Sequence, residues 1–168
     1  TPPRSALGFL QDFTARIAGK AAIGTVAGLR KVKDLPRLVR AAATLPAHVR
    51  LAIVGEGPER GAIEAEAARC GIADRVVLAG FMAEPARWIG HFDILALTSL
   101  SEQAPIAVIE AMACERPIVA SRLPGVQALG AYAVTTHKNL GGQLAGQGVC
   151  QTPAGAAVGR QCHVAVGH

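Results

Sequence analysis

The chain has 168 residues, 51% of them hydrophobic and 17% charged, which fits one domain with a core of its own or half of a two-domain protein and excludes a chain that is mostly disordered. Its net charge of +5 does not make it a nucleic-acid binder. All twelve acids and fourteen of the seventeen Lys and Arg lie before Pro117, so that part carries only +2, and an aromatic content of 4% offers few stacking platforms.

Residues 1–20 read as an irregular lead-in. The run "AAIGTVAGL" then has the small, apolar character of a buried strand. In "DLPRLVRAAATL" the residues Leu35, Leu38, Val39, Ala42 and Leu45 recur at helical spacing, which predicts an amphipathic helix. "LAIV" is a continuous apolar strand, and "GEGP" is its turn, with Gly55 and Gly57 as turn residues. "ERGAIEAEAARCG" is a helix closed by Gly71.

The alternation continues with a strand in "DRVVLAG", a short helix in "EPARWIGHF" and a strand in "DILALTS". "PIAVIEAMAC" is a helix with Pro105 near its first turn, and "RPIVAS" a further strand. Apolar strands alternating with helices imply a parallel sheet with right-handed crossovers. The fold class is therefore α/β, a doubly wound open parallel sheet over residues 21–129. Such sheets bind ligands at the carboxyl ends of their strands.

After Leu129 the character changes. The last 39 residues hold no acid, two cations and eight glycines, and show no sustained period. Residues 130–168 read as an atypical, poorly structured tail. Cys70, Cys114, Cys150 and Cys162 form no CxxC pair, and Cys150, Cys162, His163 and His168 fit no zinc spacing. No apolar run reaches the roughly 18–20 residues of a membrane span, and no secretory segment is visible, so a cytoplasmic location with reduced thiols is expected.

The stretch "SLSEQAPIAVIEAMACERPIVAS" sets Glu102 and Glu110 in apolar surroundings. A carboxylate is costly to desolvate without a partner. Glu102 falls on a loop after a strand, where a ligand is a reasonable partner. The alternatives are that Glu102 only favours a helix N-terminus, by about 0.3–1 kcal/mol, and that Glu110 faces water from mid-helix.

This segment resembles the signature of the group 1 (family 4) retaining glycosyltransferases of the GT-B fold: Glu, seven residues, Glu, then Ala-Met-Ala and a Pro-Val-Val-Ala-like strand. "GTVAGLRKVKDLPRLVRA", "RLAIVGEGPER" and "DRVVLAGF" resemble that family's other pieces in its order, and the likeness covers roughly residues 21–127. It implies a Rossmann-like, C-terminal donor-binding half of a GT-B enzyme that builds polysaccharide or glycoconjugate. The partner implied is a nucleotide-diphosphate sugar.

By resemblance, Glu102 and Lys33 are catalytic. Glu102 accepts hydrogen bonds from the donor sugar, and Lys33 falls on the family's lysine position beside the diphosphate. Glu110 accepts from the ribose hydroxyls. Arg30 and Ile106 border the diphosphate, Gln103 and Ala104 are further substrate-binding residues, and Phe81 borders a loop that in relatives touches the base, with simple packing as its alternative. Growing charge on the leaving diphosphate would be met by Lys33 and by the helix terminus near Pro105, so no cofactor and no metal are expected.

The likeness also implies that an acceptor sugar or lipid-linked sugar is held by an amino-terminal domain. This chain alone is then expected to be inactive, and the full-length enzyme to touch the inner membrane face. The chain departs from the family pattern in four respects. Gly28 stands at a family arginine, with Arg30 or Lys31 as a substitute from the same loop. Gln103, Ala104 and Pro105 replace glycines after Glu102. Glu115 stands where a glycine ends the helix. The closing helices are unmatched. A rival from another class is a non-catalytic α/β module that binds a protein partner or self-associates. A dinucleotide-binding oxidoreductase is disfavoured, because there is no GxGxxG.

Overall fold

The structure is a computed structural model, and it describes residues 21–129. The lead-in 1–20, the tail 130–168 and the Cys150/Cys162/His163/His168 group lie outside the described residues. Five strands and five helices alternate. They are β1 (Ala22–Val26), α1 (Leu35–Ala43), β2 (Arg50–Val54), α2 (Arg60–Arg69) and β3 (Val76–Gly80), followed by α3 (Pro85–Ile89), β4 (Ile94–Leu97), α4 (Ile106–Ala113), β5 (Ile118–Ala120) and α5 (Pro124–Gln127). All strand pairs are parallel and the sheet order is β3-β2-β1-β4-β5. The expected doubly wound α/β sheet is present.

The strands are apolar throughout because both faces are covered. Leu51 and Ile53 of β2 pack on one side with Leu35, Leu38 and Val39 of α1 and Ile63 and Ala67 of α2. Ala52 and Val54, the alternate residues, pack on the other side with Trp88, Ile89 and Phe92 and with Val108 and Ala111 of α4. Leu35, Leu38, Val39 and Ala42 of the stripe read from the sequence are the buried stripe of α1, whereas Leu45 lies beyond the helix end and is half-buried. Arg75, in the turn just before β3, donates to the carbonyls of Val49 (3.2 Å), Ala42 (2.8 Å) and Leu45 (3.2 Å), a structural tie between strand and helix ends.

Two boundaries differ from the sequence reading. The helix expected over "EPARWIGHF" ends at Ile89, and Phe92 instead enters the core. The four-residue helix α5 follows β5; it is too short to show a period in the sequence.

Beyond β1 the chain moves across the sheet one way, through β2 to β3. Beyond β4 it moves the other way, to β5. The carboxyl ends of β1 and β4, which are neighbours, therefore mark the point where the winding reverses and their following loops diverge.

Candidate functional site

A cleft of about 260 Å³ opens at that point. Its walls are the end of β1 (Val26, Ala27, Gly28), the end of β4 (Leu97) and the first turn of α4 (Pro105, Ile106, Ala107), with Lys33, Glu102 and Ala104 completing it. Lys33 lies in a short 3-10 turn over Lys31–Lys33, and Glu102 on the loop between β4 and α4. The ammonium of Lys33 donates to Glu102 Oε1, joining residues 69 positions apart. Their side chains are 24% and 10% exposed, so the pair faces the cleft from a mostly buried position.

The two loops are joined by more than this pair. The amide of Leu100 donates to the Val32 carbonyl at 2.8 Å. Thr98 Oγ1 donates to the carbonyls of Lys33 and Asp34, and Ser99 Oγ donates to Glu102 Oε1 at 2.6 Å. Asp34, which caps α1, has φ 44°, a left-handed backbone for a non-glycine residue. The turn after β2 supports the loop from below. A Cβ at Gly57 would stand 2.5 Å from the Leu29 carbonyl oxygen, and one at Gly55 would overlap that of Ala27. These glycines are turn residues whose missing side chains let one loop rest on the other.

Pro105 is the N-cap of α4, in extended backbone, and the helix proper starts at Ile106. The Ile106 and Ala107 amides fall in the first turn, where N–H groups lack intrahelical acceptors, and both residues line the cleft. A helix start beside Lys33 makes this the positive end of the cleft.

The remaining sequence candidates fall around this centre. Ala104 and Ile106 line the cleft, and Ile106 is 69% exposed. Glu110 is half-buried on α4, four residues after Ile106 and thus on the same helix face one turn further along, about 5–6 Å away; it is not a lining residue. Arg30 is exposed, and its Nε lies 3.8 Å from where a Cβ on Gly28 would stand, which brings its side chain back beside the cleft wall. Gln103 is exposed at the rim. Phe81 follows edge strand β3, 78% exposed and outside the cleft.

Trp88 is buried and donates to the Ala83 carbonyl, and His91 is exposed away from the lining, so neither takes part. Among the described residues no group of three or more His, Cys, Asp or Glu could hold a metal ion.

Sequence reasoning missed three neighbours of the pair. Thr98 and Ser99 read only as the end of a strand. Gly125 of α5 is buried against the Glu102 loop. A Cβ there would overlap the Gln103 carbonyl oxygen and stand 2.5 Å from that of Glu102.

A family model described as "Glycosyl transferases group 1" matches residues 20–140. The chain belongs to the group 1 glycosyltransferases. It is 32% identical over 103 residues to N-acetyl-alpha-D-glucosaminyl L-malate synthase of Bacillus anthracis, covering 60% of this chain. It is 31% identical over 113 residues to 2-deoxystreptamine glucosyltransferase of Streptomyces kanamyceticus, covering 64% of this chain. The chain spans 27% and 29% of those two relatives. In structure it resembles Anabaena HepE, crystallised with UDP and glucose, at a TM-score of 0.66 and 25% identity, over 74% of this chain and 36% of that one. The sheet is thus a Rossmann-like unit of the kind found in GT-B glycosyltransferases. No helix among the described residues is long and apolar enough to cross a membrane.

Proposed function

We propose that residues 21–129 form the C-terminal, donor-binding half of a retaining family 4 glycosyltransferase of polysaccharide or glycoconjugate synthesis. The observation that carries this reading is the Lys33–Glu102 pair on the wall of a cleft whose other wall is a helix start. A cation, free amides and a carboxylate stand within one small volume. That is the set of groups a nucleotide-diphosphate sugar needs, with anionic phosphates at one end and hydroxyl donors at the other. HepE, described with UDP and glucose, supports a uridine nucleotide as the probe.

In this reading the diphosphate lies across the Ile106 and Ala107 amides and draws the Lys33 ammonium toward it. Glu102 then accepts hydrogen bonds from the donor sugar. Bond cleavage puts charge on the diphosphate, and Lys33 and the helix start are already oriented to meet it. Arg30 adds a second cation from the same loop in place of one at position 28. Gln103 and Ala104 close the sugar end, Glu110 takes the ribose hydroxyls beyond Ile106, and Phe81 borders the base. With these groups in place the transfer uses no metal. The acceptor sugar or lipid-linked sugar is held by a separate amino-terminal domain, so residues 21–129 bind donor and transfer nothing alone. The location is cytoplasmic, at the inner membrane face for the full-length enzyme.

Titration calorimetry of the chain with UDP and GDP tests this. A saturable response to one of them that weakens about tenfold in Glu110→Ala supports it. Equal, salt-like responses to both, unchanged in Glu110→Ala, refute it. The exposed Phe81, Leu100, Ile106 and Ile109 favour a second reading, a self-associating module. Light scattering showing concentration-dependent dimers that ignore nucleotide decides for it.

A further inference from the structure

Two adjacent hydroxyls just past the end of β4 serve two different loops. Consecutive side chains leave a strand in opposite directions. Thr98 Oγ1 reaches back to the carbonyls of Lys33 (3.0 Å) and Asp34 (3.1 Å). Ser99 Oγ reaches forward to Glu102 Oε1.

Each contact addresses a problem the site would otherwise have. Asp34 sits in left-handed backbone directly after Lys33, a conformation that persists only where the surroundings hold it. One Thr98 hydroxyl shared by both carbonyls does so. Glu102 is on a loop, where a carboxylate is free to rotate. Ser99 is 1% exposed, so its hydroxyl has no solvent to turn to and is committed to Oε1. Oε1 therefore takes both Ser99 and Lys33, while Oε2 takes no hydrogen bond from the described residues. If Lys33 leaves for an anion, Ser99 still fixes the carboxylate.

We propose that Thr98 and Ser99 are positioning residues with divided duties. Thr98 sets the backbone that carries the Lys33 cation at the diphosphate end. Ser99 sets the Glu102 carboxylate, so that Oε2 is presented to the donor sugar. The proposal rests on the roles given to Lys33 and Glu102 above.

The test is calorimetry of the full chain with UDP and with UDP-glucose at one salt concentration. Thr98→Val weakens both ligands by about fivefold to tenfold and leaves their ratio unchanged. Ser99→Ala weakens UDP-glucose about tenfold and UDP by less than about twofold. In a Glu102→Ala background, Ser99→Ala has no further effect on UDP-glucose. UDP binding retained by Ser99→Ala also reports that the variant is folded. A Ser99→Ala chain that keeps both affinities, or loses both in equal measure, overturns the proposal while wild-type binding leaves the donor-site reading intact. A wild-type chain without a saturable response to either ligand overturns both.

Discussion

Two helices of this domain end in the same hydrogen-bonded turn, one on glycine and the other on glutamate. At the end of α2 the amide of Ile72 donates to the Ala67 carbonyl at 2.9 Å, and that of Gly71 to Ala68 at 3.0 Å. At the end of α4 the amide of Arg116 donates to Ala111 at 2.9 Å, and that of Glu115 to Met112 at 3.1 Å. Both are the 6→1 and 5→2 pattern of a Schellman cap. Gly71 has φ 68° and Glu115 φ 54°. A residue with a Cβ costs about 1–2 kcal/mol in that region. A carboxylate past a helix carboxyl end adds about 0.3–1 kcal/mol of unfavourable dipole interaction. Against these stands the greater freedom of glycine in the unfolded chain, about 0.5–1 kcal/mol. Glu115→Gly should therefore stabilise the domain by about 1 kcal/mol, and Gly71→Ala should destabilise it by about the same amount. Trp88 is the only tryptophan of the chain and is buried, so its fluorescence follows urea unfolding. With a slope of about 1–2 kcal/mol per molar urea, the midpoint rises by about 0.5–1 M in Glu115→Gly. Glu115→Gln separates the charge from the backbone and should give only the smaller dipole share. A Glu115→Gly midpoint at or below that of the wild type, with an unchanged slope, refutes the reasoning.

Gly125→Ala drives a methyl into the backbone of Gln103 and Glu102 and should cost about 1–3 kcal/mol in urea unfolding; by displacing the Glu102 loop it should also weaken UDP-glucose about tenfold by calorimetry. At Gly28 a Cβ meets nothing nearer than Arg30 Nε at 3.8 Å, so Gly28→Arg fits and adds a cation to the cleft wall. UDP binding should tighten by about twofold to tenfold, with a steeper salt dependence. Between α1 and α2, hydrogen bonds from Arg69 and then Arg40 pull the Glu66 carboxyl from its usual 4.5 down to about 2. A depressed folded-state value means that this link is fully present above about pH 4.5 and is lost as pH falls through about 2. The melting-temperature gap between wild type and Glu66→Gln should therefore close between those values, and a gap constant with pH would count against the pairing.

The strands and helices were legible because each carries its own signal. A strand covered on both faces must be apolar at every position, as "LAIV" is, and a helix on the sheet must repeat its apolar residues every three or four, as Leu35, Leu38, Val39 and Ala42 do. Lys33 and Glu102 were legible as candidates because their spacing matched a known pattern. Their meeting was not, since 69 residues separate them and only the parallel pairing of β1 with β4 brings their loops together. Ser99, Thr98 and Gly125 left no mark in the sequence for a related reason. A hydroxyl at a strand end, or a glycine in a short turn, looks the same whether it faces water or a neighbouring backbone.

Local composition and periodicity alone determined that this chain would make an alternating α/β sheet, because that property depends on which faces must be buried. The tertiary structure alone decided which strand ends become neighbours. It placed the cleft where the winding reverses, seated Glu102 between a serine and a lysine, and left Glu110 one helical turn outside the lining. These are matters of which loops share a volume, and no stretch of sequence contains both sides of such a contact.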